Sequence, residues 1–403
     1  MDKSRRVIVA GAGPAGLVAA AYLAGEGIPV TIVEQERDLP DDLRASTFHP
    51  PTLDMLGRFP GVVDRLIAQG LICPTWQFRD RATGPIATFE MARLKDDTAH
   101  PYRLQCEQWR LTRMLRDILA DNPDVEFLYD AKATEVAQDA DGVTLTIERP
   151  DGSAEKIAGA YLVGADGARS AVRRSLGIGF DGMTIPETYL TLSTTFRFED
   201  HIPDVANIAY ISDPEEWFVL LQAAGLWRVL LPTAPEEAAD EARMLAPARI
   251  QERMQGVWPN PAGYEIRHRT AYRVHERVAD SYVKGRVFLA GDAAHINNPL
   301  GGMGMNGGVH DAFNLAQKLS AVWRGEADLS LMERYSRQRR KVALDVVQQQ
   351  ALRNRQLLNQ RDPAVRKAYH DELRGIVADP EKHRAYLLRS SMIQSLRDLE
   401  DVA

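Results

Sequence analysis

Gly11-Ala12-Gly13-Pro14-Ala15-Gly16 sets three glycines in the pattern GxGxxG directly after the apolar run RRVIVA. The first glycine permits a tight turn, the second lets backbone approach a pyrophosphate, and the third lets helix and strand pack closely. A helix starting there turns unbonded N–H groups and its positive dipole end toward phosphates. Glu34 closes the next β-branched run, PVTIVE, where a carboxylate can accept ribose hydroxyls; Gln35 beside it joins the candidate set. An acid there disfavours a 2′-phosphate, so the site reads as one for FAD or NAD rather than NADP.

Two further glycine segments carry the choice between those cofactors. Gly164-Ala165-Asp166-Gly167-Ala168-Arg169-Ser170 follows the buried run YLV. Gly291-Asp292-Ala293-Ala294-His295 leads into Pro299-Leu300-Gly301-Gly302-Met303-Gly304-Met305-Asn306. A second glycine run before a helix suits a flavin ring edge or a ribityl-phosphate chain, because backbone can come close and a helix dipole can stabilise negative charge. Asp292, at the end of a buried strand, can bind a polyol hydroxyl; its plain alternative is a helix N-cap.

GAGPAG, GADGARS and GDAAH-x3-P-x-GGMGMN, in this order, resemble the flavoprotein aromatic hydroxylases typified by p-hydroxybenzoate hydroxylase, over residues 1 to about 350. The resemblance implies a tightly but non-covalently bound FAD, with Gly291 and Asp292 at the ribityl chain and Gly301, Gly302, Gly304, Met305 and Asn306 lining the isoalloxazine. It implies Asp166 and Arg169 at a motif shared by flavin and NAD(P)H, and Arg44-Ala45 near the pyrophosphate. A flavin-contacting Gln falls on Gln108 of Gln108-x2-Leu111-x3-Leu115, with Gln105 as its rival, because Thr112 stands where relatives usually carry Glu. It also implies NADH or NADPH as co-substrate, with no dinucleotide domain of its own, and oxygen adding at flavin C4a to give a hydroperoxide that hydroxylates an aromatic ring. The Pro299 carbonyl is close to the substrate hydroxyl in relatives, which makes it a catalytic candidate.

Those motifs need an α/β frame: a Rossmann-like FAD-binding domain, an inserted mixed or antiparallel sheet for substrate, and a helical C-terminus. The expected division is 1–180 with 280–330 for FAD, 181–279 for the sheet, and 331–403 for the helices. RRVIVA, an Ala-rich helix and PVTIVE make a βαβ unit, and 44–101 reads as irregular with short helical pieces. Glu107 to Ala120 is amphipathic through Leu111, Leu115 and Leu119. Asp141-Gly142 marks a hairpin. YLTLSTTFRF alternates, which predicts a half-buried sheet with Leu190, Leu192, Phe196 and Phe198 on one face. Its sheet should supply substrate contacts, for which Tyr210, Trp217 and Arg228 are candidates. Tyr210, and His49 after the Arg-Ala segment, are further catalytic candidates; the sequence identifies no base. Arg337, Arg339, Arg340 and Lys341 read as a solvated helix face.

The 403 residues are 45% hydrophobic and 26% charged, as in an ordinary globular protein, and a net charge of −7 gives no reason to expect nucleic acid. Cys73 and Cys106 form no CxxC, so no metal site or redox dithiol is suggested. MDKSRR runs straight into a strand and no apolar stretch is long enough to span a membrane, so a cytoplasmic location is expected. A homodimer through the helical tail is a hypothesis, as is a lid. The rival functions are a reductase or epoxidase on the same scaffold and, from another class, a non-catalytic FAD-binding protein. Halogenases are disfavoured, because their Lys and W-x-W-x-I-P segment are missing from the chain.

Overall fold

The computed structural model describes residues 5–41 and 45–402. Strand Val7–Ala10 is buried throughout and lies inside a six-stranded sheet. Tyr161–Gly164 and Val30–Val33 flank it in parallel, and Val125–Leu128 and Val287–Leu289 extend the parallel run. Val283–Lys284 closes one edge antiparallel. Parallel strands covered on both faces need continuous β-branched runs rather than alternation, which VIVA, VTIV and VFL supply. Helix Pro14–Gly25 is apolar nearly all round because it packs between this sheet and helix Gly304–Trp323.

The second sheet has eight strands, mostly antiparallel, running from His295–Ile296 through Ile266–Ala279, Phe180–Thr194, Leu226–Thr233, Phe218–Ala223 and Ile208–Ser212 to Thr75–Asp80 and Gly84–Glu90. The last two lie where the sequence reads as irregular. Thr75–Asp80 escapes periodicity because five of its six residues are buried, so it shows no alternation. Asp80 Oδ1 accepts from the Ala82 and Thr83 amides, and Gly84 adopts φ +85°, which closes the hairpin. Ile208–Ser212 pairs with Thr75–Asp80 in parallel, so the sheet is mixed.

The expected half-burial of this sheet is also corrected: both faces are covered. Leu190, Leu192 and Phe198 pack outward against Ile250 and Met254 of helix Pro247–Val257. Tyr189 and Ser193, which alternate with them, are fully buried on the inner face. Helices Gln349–Leu358, Pro363–Ala378 and Pro380–Ser390 help to cover that face, giving Leu357, Leu358, Leu373, Tyr386 and Leu387 to one apolar cluster with Trp76, Phe89 and Tyr210. An ion pair from Arg366 to Asp80 and two from Arg384 and Arg397 to Asp97 clamp the tail onto the body. Among the described residues no helix is long and apolar enough to cross a membrane.

Candidate active site

The three glycine segments meet. A Cβ on Gly11 would lie 2.3 Å from the Ala165 carbonyl, and one on Gly291 would lie 2.9 Å from Ala15 Cβ. The first motif therefore touches both others, and only glycine permits the approach. Gly16 is needed for a different reason, since a Cβ there would fall 2.0 Å from the Gly11 carbonyl. At Gly13 a Cβ would meet no protein atom within 4 Å. No packing demand explains this glycine, which leaves the backbone open to close approach by a pyrophosphate. Helix Pro14–Gly25 starts at Gly13 with no side-chain cap, leaving its first amides for an anion. Glu34 Oε2 accepts from the Ala12 amide at 2.8 Å and Oε1 from the Glu36 amide at 3.0 Å, which holds the carboxylate beside the turn with lone pairs to spare. These residues fit the adenosine diphosphate half of FAD.

The second glycine turn, at Pro299–Gly302, is closed by Gly302 N–H to the Pro299 carbonyl at 2.9 Å, with φ of +116° at Gly301 and +68° at Gly302. Asn306 is fully buried and donates to the Gly302 and Thr47 carbonyls at 2.6 and 2.8 Å while accepting from the His49 amide at 2.9 Å. His49 Nε2 donates to the Gly301 carbonyl at 2.9 Å, which makes Nδ1 the bare acceptor. Burial, with Arg103 nearby, holds the His49 pKa well below the usual histidine value, so the ring is neutral. Helix Gly304–Trp323 begins immediately after the turn with no side-chain cap and points its positive dipole end into the same region.

Behind this frame a buried carboxylate ties the third motif together. Asp311 accepts from the Gly291 amide at 3.1 Å, His295 Nε2 at 2.8 Å and Arg339 Nε at 2.5 Å. Burial alone would raise its pKa, but His295 and Arg339 hold it below the ordinary range. Arg339 is only 1% exposed, which corrects the reading of that arginine run as a solvated face. Arg337 and Lys341 do face outward; Arg339 turns in to share the buried Asp311 carboxylate with His295.

The inner face of the eight-stranded sheet forms an aromatic box. The Trp76 ring stacks on Phe89 at 4.2 Å, Phe89 stacks on Tyr386 at 4.6 Å, and Phe78 tilts against Tyr210 at 5.3 Å. The Arg103 guanidinium sits 4.5 Å from the Trp76 ring and only 2% of the residue is exposed. Its neighbours are Tyr210, Tyr386 and Cys73, and no carboxylate pairs with it among the described residues. Burial pushes both the Tyr386 hydroxyl and the Cys73 thiol up to about 12, so neither supplies a negative charge. Trp76 Nε1, Arg103 Nε and the Tyr189 hydroxyl are buried without hydrogen-bond partners. Buried donors of this kind are normally satisfied, so Trp76 Nε1 and Arg103 Nε are candidates to meet a ligand oxygen.

A family model described as an FAD binding domain matches residues 4–350. The para-nitrophenol 4-monooxygenase of Pseudomonas sp. (strain WBC-3) is 34% identical over 402 residues, covering 99% of this chain and 98% of that protein. The 6-hydroxy-3-succinoylpyridine 3-monooxygenase HspB of Pseudomonas putida (strain DSM 28022 / S16) is 33% identical, covering 95% and 97%. The crystal structure of p-nitrophenol 4-monooxygenase PnpA from Pseudomonas putida DLL-E4 superposes with a TM-score of 0.91 at 33% identity, covering 98% of this chain and 99% of that one. The chain belongs to the FAD-dependent aromatic hydroxylases. It is accordingly an NAD(P)H-dependent flavoprotein monooxygenase acting on aromatic substrates.

The sequence-derived residues distribute as follows. Gly11, Gly13, Pro14, Ala15, Gly16 and Glu34 surround one turn, with Gln35 exposed beside it. Gly291, Gly301, Gly302, Gly304, Met305 and Asn306 gather around the second, and Asp292 is exposed at its strand end. Asp166 accepts from Ser170 Oγ at 2.5 Å and the Val172 amide at 3.1 Å, so it organises the start of helix Ala171–Ser175. Gln105 is fully buried and occupied with Ser46 and Thr47, whereas Gln108 is partly exposed at the start of its helix with its amide on the Ala45 carbonyl. Arg44 lies outside the described residues. Tyr210 and Trp217 both line the aromatic cluster, and Arg228 lies deeply buried beside Glu107 and Tyr272. Sequence reasoning missed Arg103, Trp76, Phe89 and Tyr386. The Ala82-Thr83-Gly84 turn between two aromatic runs was the available signal for the hairpin that carries Trp76 and Phe89.

Proposed function

We propose that this enzyme hydroxylates a compact phenol or hydroxypyridine bound in the aromatic box with its ionised oxygen against Arg103. The observation that carries the reading is that guanidinium, buried among aromatic rings with no acid paired to it. A cation there lowers the pKa of a bound phenol, since the opposite charge favours the phenolate, and an electron-rich ring is what an aromatic hydroxylation requires. The relatives named for a nitrophenol and a hydroxypyridine support the same class. FAD, held by the two glycine turns, supplies electron transfer and oxygen activation when bound. The chain's own residues bind the ring, orient it and exclude water.

His49 fits a positioning role better than that of a base. Its Nε2 proton is committed to the Gly301 carbonyl, and a histidine pKa held low makes a poor proton acceptor. The Pro299 carbonyl already accepts from Gly302, with a second lone pair left for a substrate hydroxyl. On this reading Asp292 takes the ribityl chain, Gln108 a flavin edge, and Tyr210 the substrate oxygen beside Arg103. The division at 1–180 with 280–330, 181–279 and 331–403 is kept as a proposal, amended by moving 75–90 to the substrate sheet. A cytoplasmic location and a homodimer belong to the proposal too; a monomer in equilibrium sedimentation would remove the latter.

The test is NAD(P)H oxidation by the FAD-loaded protein against nitrophenols, hydroxybenzoates and hydroxypyridines, with product analysed for one oxygen from labelled O2. Stimulated turnover with label incorporated by a carboxylate-free phenol is expected. Preference for hydroxybenzoates, or stimulation without incorporation, would overturn the assignment of the box.

A further inference from the structure

The turn at Pro299–Gly302 is held by side chains from several parts of the chain. His49 holds the Gly301 carbonyl and Asn306 the Gly302 carbonyl, while Asn298 Oδ1 accepts from the Leu300 amide at 3.0 Å. The remaining carbonyl, that of Leu300, accepts from Asn354 Nδ2 at 3.2 Å, which is longer than those bonds and the easiest of them to alter. Asn354 is buried and lies past residue 350, where the matched family domain ends. Gly301 has no Cβ, and one placed there would stand 3.3 Å from the same amide nitrogen.

Asn354 does not act alone. Gln350, one turn earlier on the same face of helix Gln349–Leu358, donates through Nε2 to Asn354 Oδ1 at 3.0 Å. The helix begins directly after the π-helical stretch Ala343–Gln348, which sets the register that brings this pair to the turn. Gln350 also lies against the Tyr386 hydroxyl, which is buried without a hydrogen bond of good geometry. Tyr386 in turn belongs to the aromatic box beside Arg103. An amide nitrogen carries two N–H groups. When a ligand oxygen takes the Tyr386 proton in a hydrogen bond, the hydroxyl is oriented to accept the second N–H of Gln350, and the line of bonds reaches the Leu300 carbonyl.

We infer that Asn354 is a positioning residue that couples occupancy of the aromatic box to the Pro299–Gly302 turn, through Gln350 and Tyr386. The inference rests on the phenol reading above, since the ligand must present an oxygen to Tyr386.

The experiment is hydrogen–deuterium exchange of the peptide spanning 296–306 in the FAD-loaded protein, with and without 4-nitrophenol. Phenol binding is read separately from the flavin absorbance change. In the unmodified protein the phenol should slow exchange of this peptide severalfold. Asn354→Asp, which puts an acceptor opposite the Leu300 carbonyl, should bind phenol with similar affinity yet show no such slowing. Gln350→Met leaves the Asn354 bond in place, so its resting exchange should match the unmodified protein while the phenol response is lost; it decides the matter should Asn354→Asp fold poorly. Equal phenol protection in the unmodified protein and Gln350→Met overturns the coupling while the phenol reading stands. Failure of the unmodified protein to bind any phenol overturns both.

Discussion

Replacing Arg103 by Met should stabilise the fold and remove most of the activity. The guanidinium is buried and pairs with no carboxylate among the described residues, and burial is the main reason its pKa is held below the ordinary arginine value. Desolvating such an ion carries a penalty of several kcal/mol. Its placement 4.5 Å from the Trp76 ring and the nearby hydroxyls return about 1–3 kcal/mol. Met keeps the volume and the contact with Trp76, so the net gain is about 1 kcal/mol, or about 1–2 °C in Tm for a chain of this size. A buried phenolate that loses this cation should bind about 2–4 kcal/mol more weakly, which lowers kcat/KM about 30- to 1000-fold. Arg103→Lys restores charge without the planar fork and should recover only part of this. Thermal unfolding of the FAD-loaded protein gives the first quantity; flavin difference spectra with 4-nitrophenol and steady-state kinetics give the second. A variant destabilised by more than about 2 kcal/mol that still binds phenol normally would refute the reasoning, because the arginine would then be a structural tether.

Gly13→Ala should fold with near-normal stability, since its Cβ meets no protein atom, yet bind FAD at least about 100-fold more weakly if the pyrophosphate passes this turn as proposed. Gly16→Ala should instead be hard to fold, and a soluble, FAD-binding Gly16→Ala would contradict the geometry at the Gly11 carbonyl. Burial, with Arg339 adding to it and Asp311 opposing, lowers the His310 pKa from 6.5 to about 3. The unfolded chain therefore binds a proton that the folded one refuses, so stability present above pH 6.5 falls by about 1.4 kcal/mol per pH unit as pH drops toward 3. Denaturant titrations of His310→Gln should show that slope reduced by about this amount, and identical acid limbs would count against it. Tyr386→Ala should cost about 3–5 kcal/mol by emptying the stack on Phe89, whereas Tyr386→Phe should keep the stack and lose only the hydroxyl's effect on ligand binding; urea midpoints for the pair separate the two.

What the sequence determined by itself is local in character. GAGPAG and Glu34 could be read directly because a turn, a helix start and the next strand lie within a few dozen consecutive residues, and backbone geometry dictates which residue types they accept. The run from Pro299 to Asn306 was legible for the same reason, with two of its glycines at positive φ. The aromatic box was not. Trp76, Arg103, Tyr210 and Tyr386 come from four distant segments, and the strand carrying Trp76 is buried on both faces, which erases the alternation by which strands are recognised. In the sequence Arg339 reads as one more charge on a solvated helix, but in the fold Asp311 faces it from helix Gly304–Trp323. Whether a cation is exposed, paired or left uncompensated depends on what the rest of the chain packs around it, and burial sets the energy of that choice. That the chain holds a flavin was written in its turns; which side chains gather into the aromatic box was decided by packing.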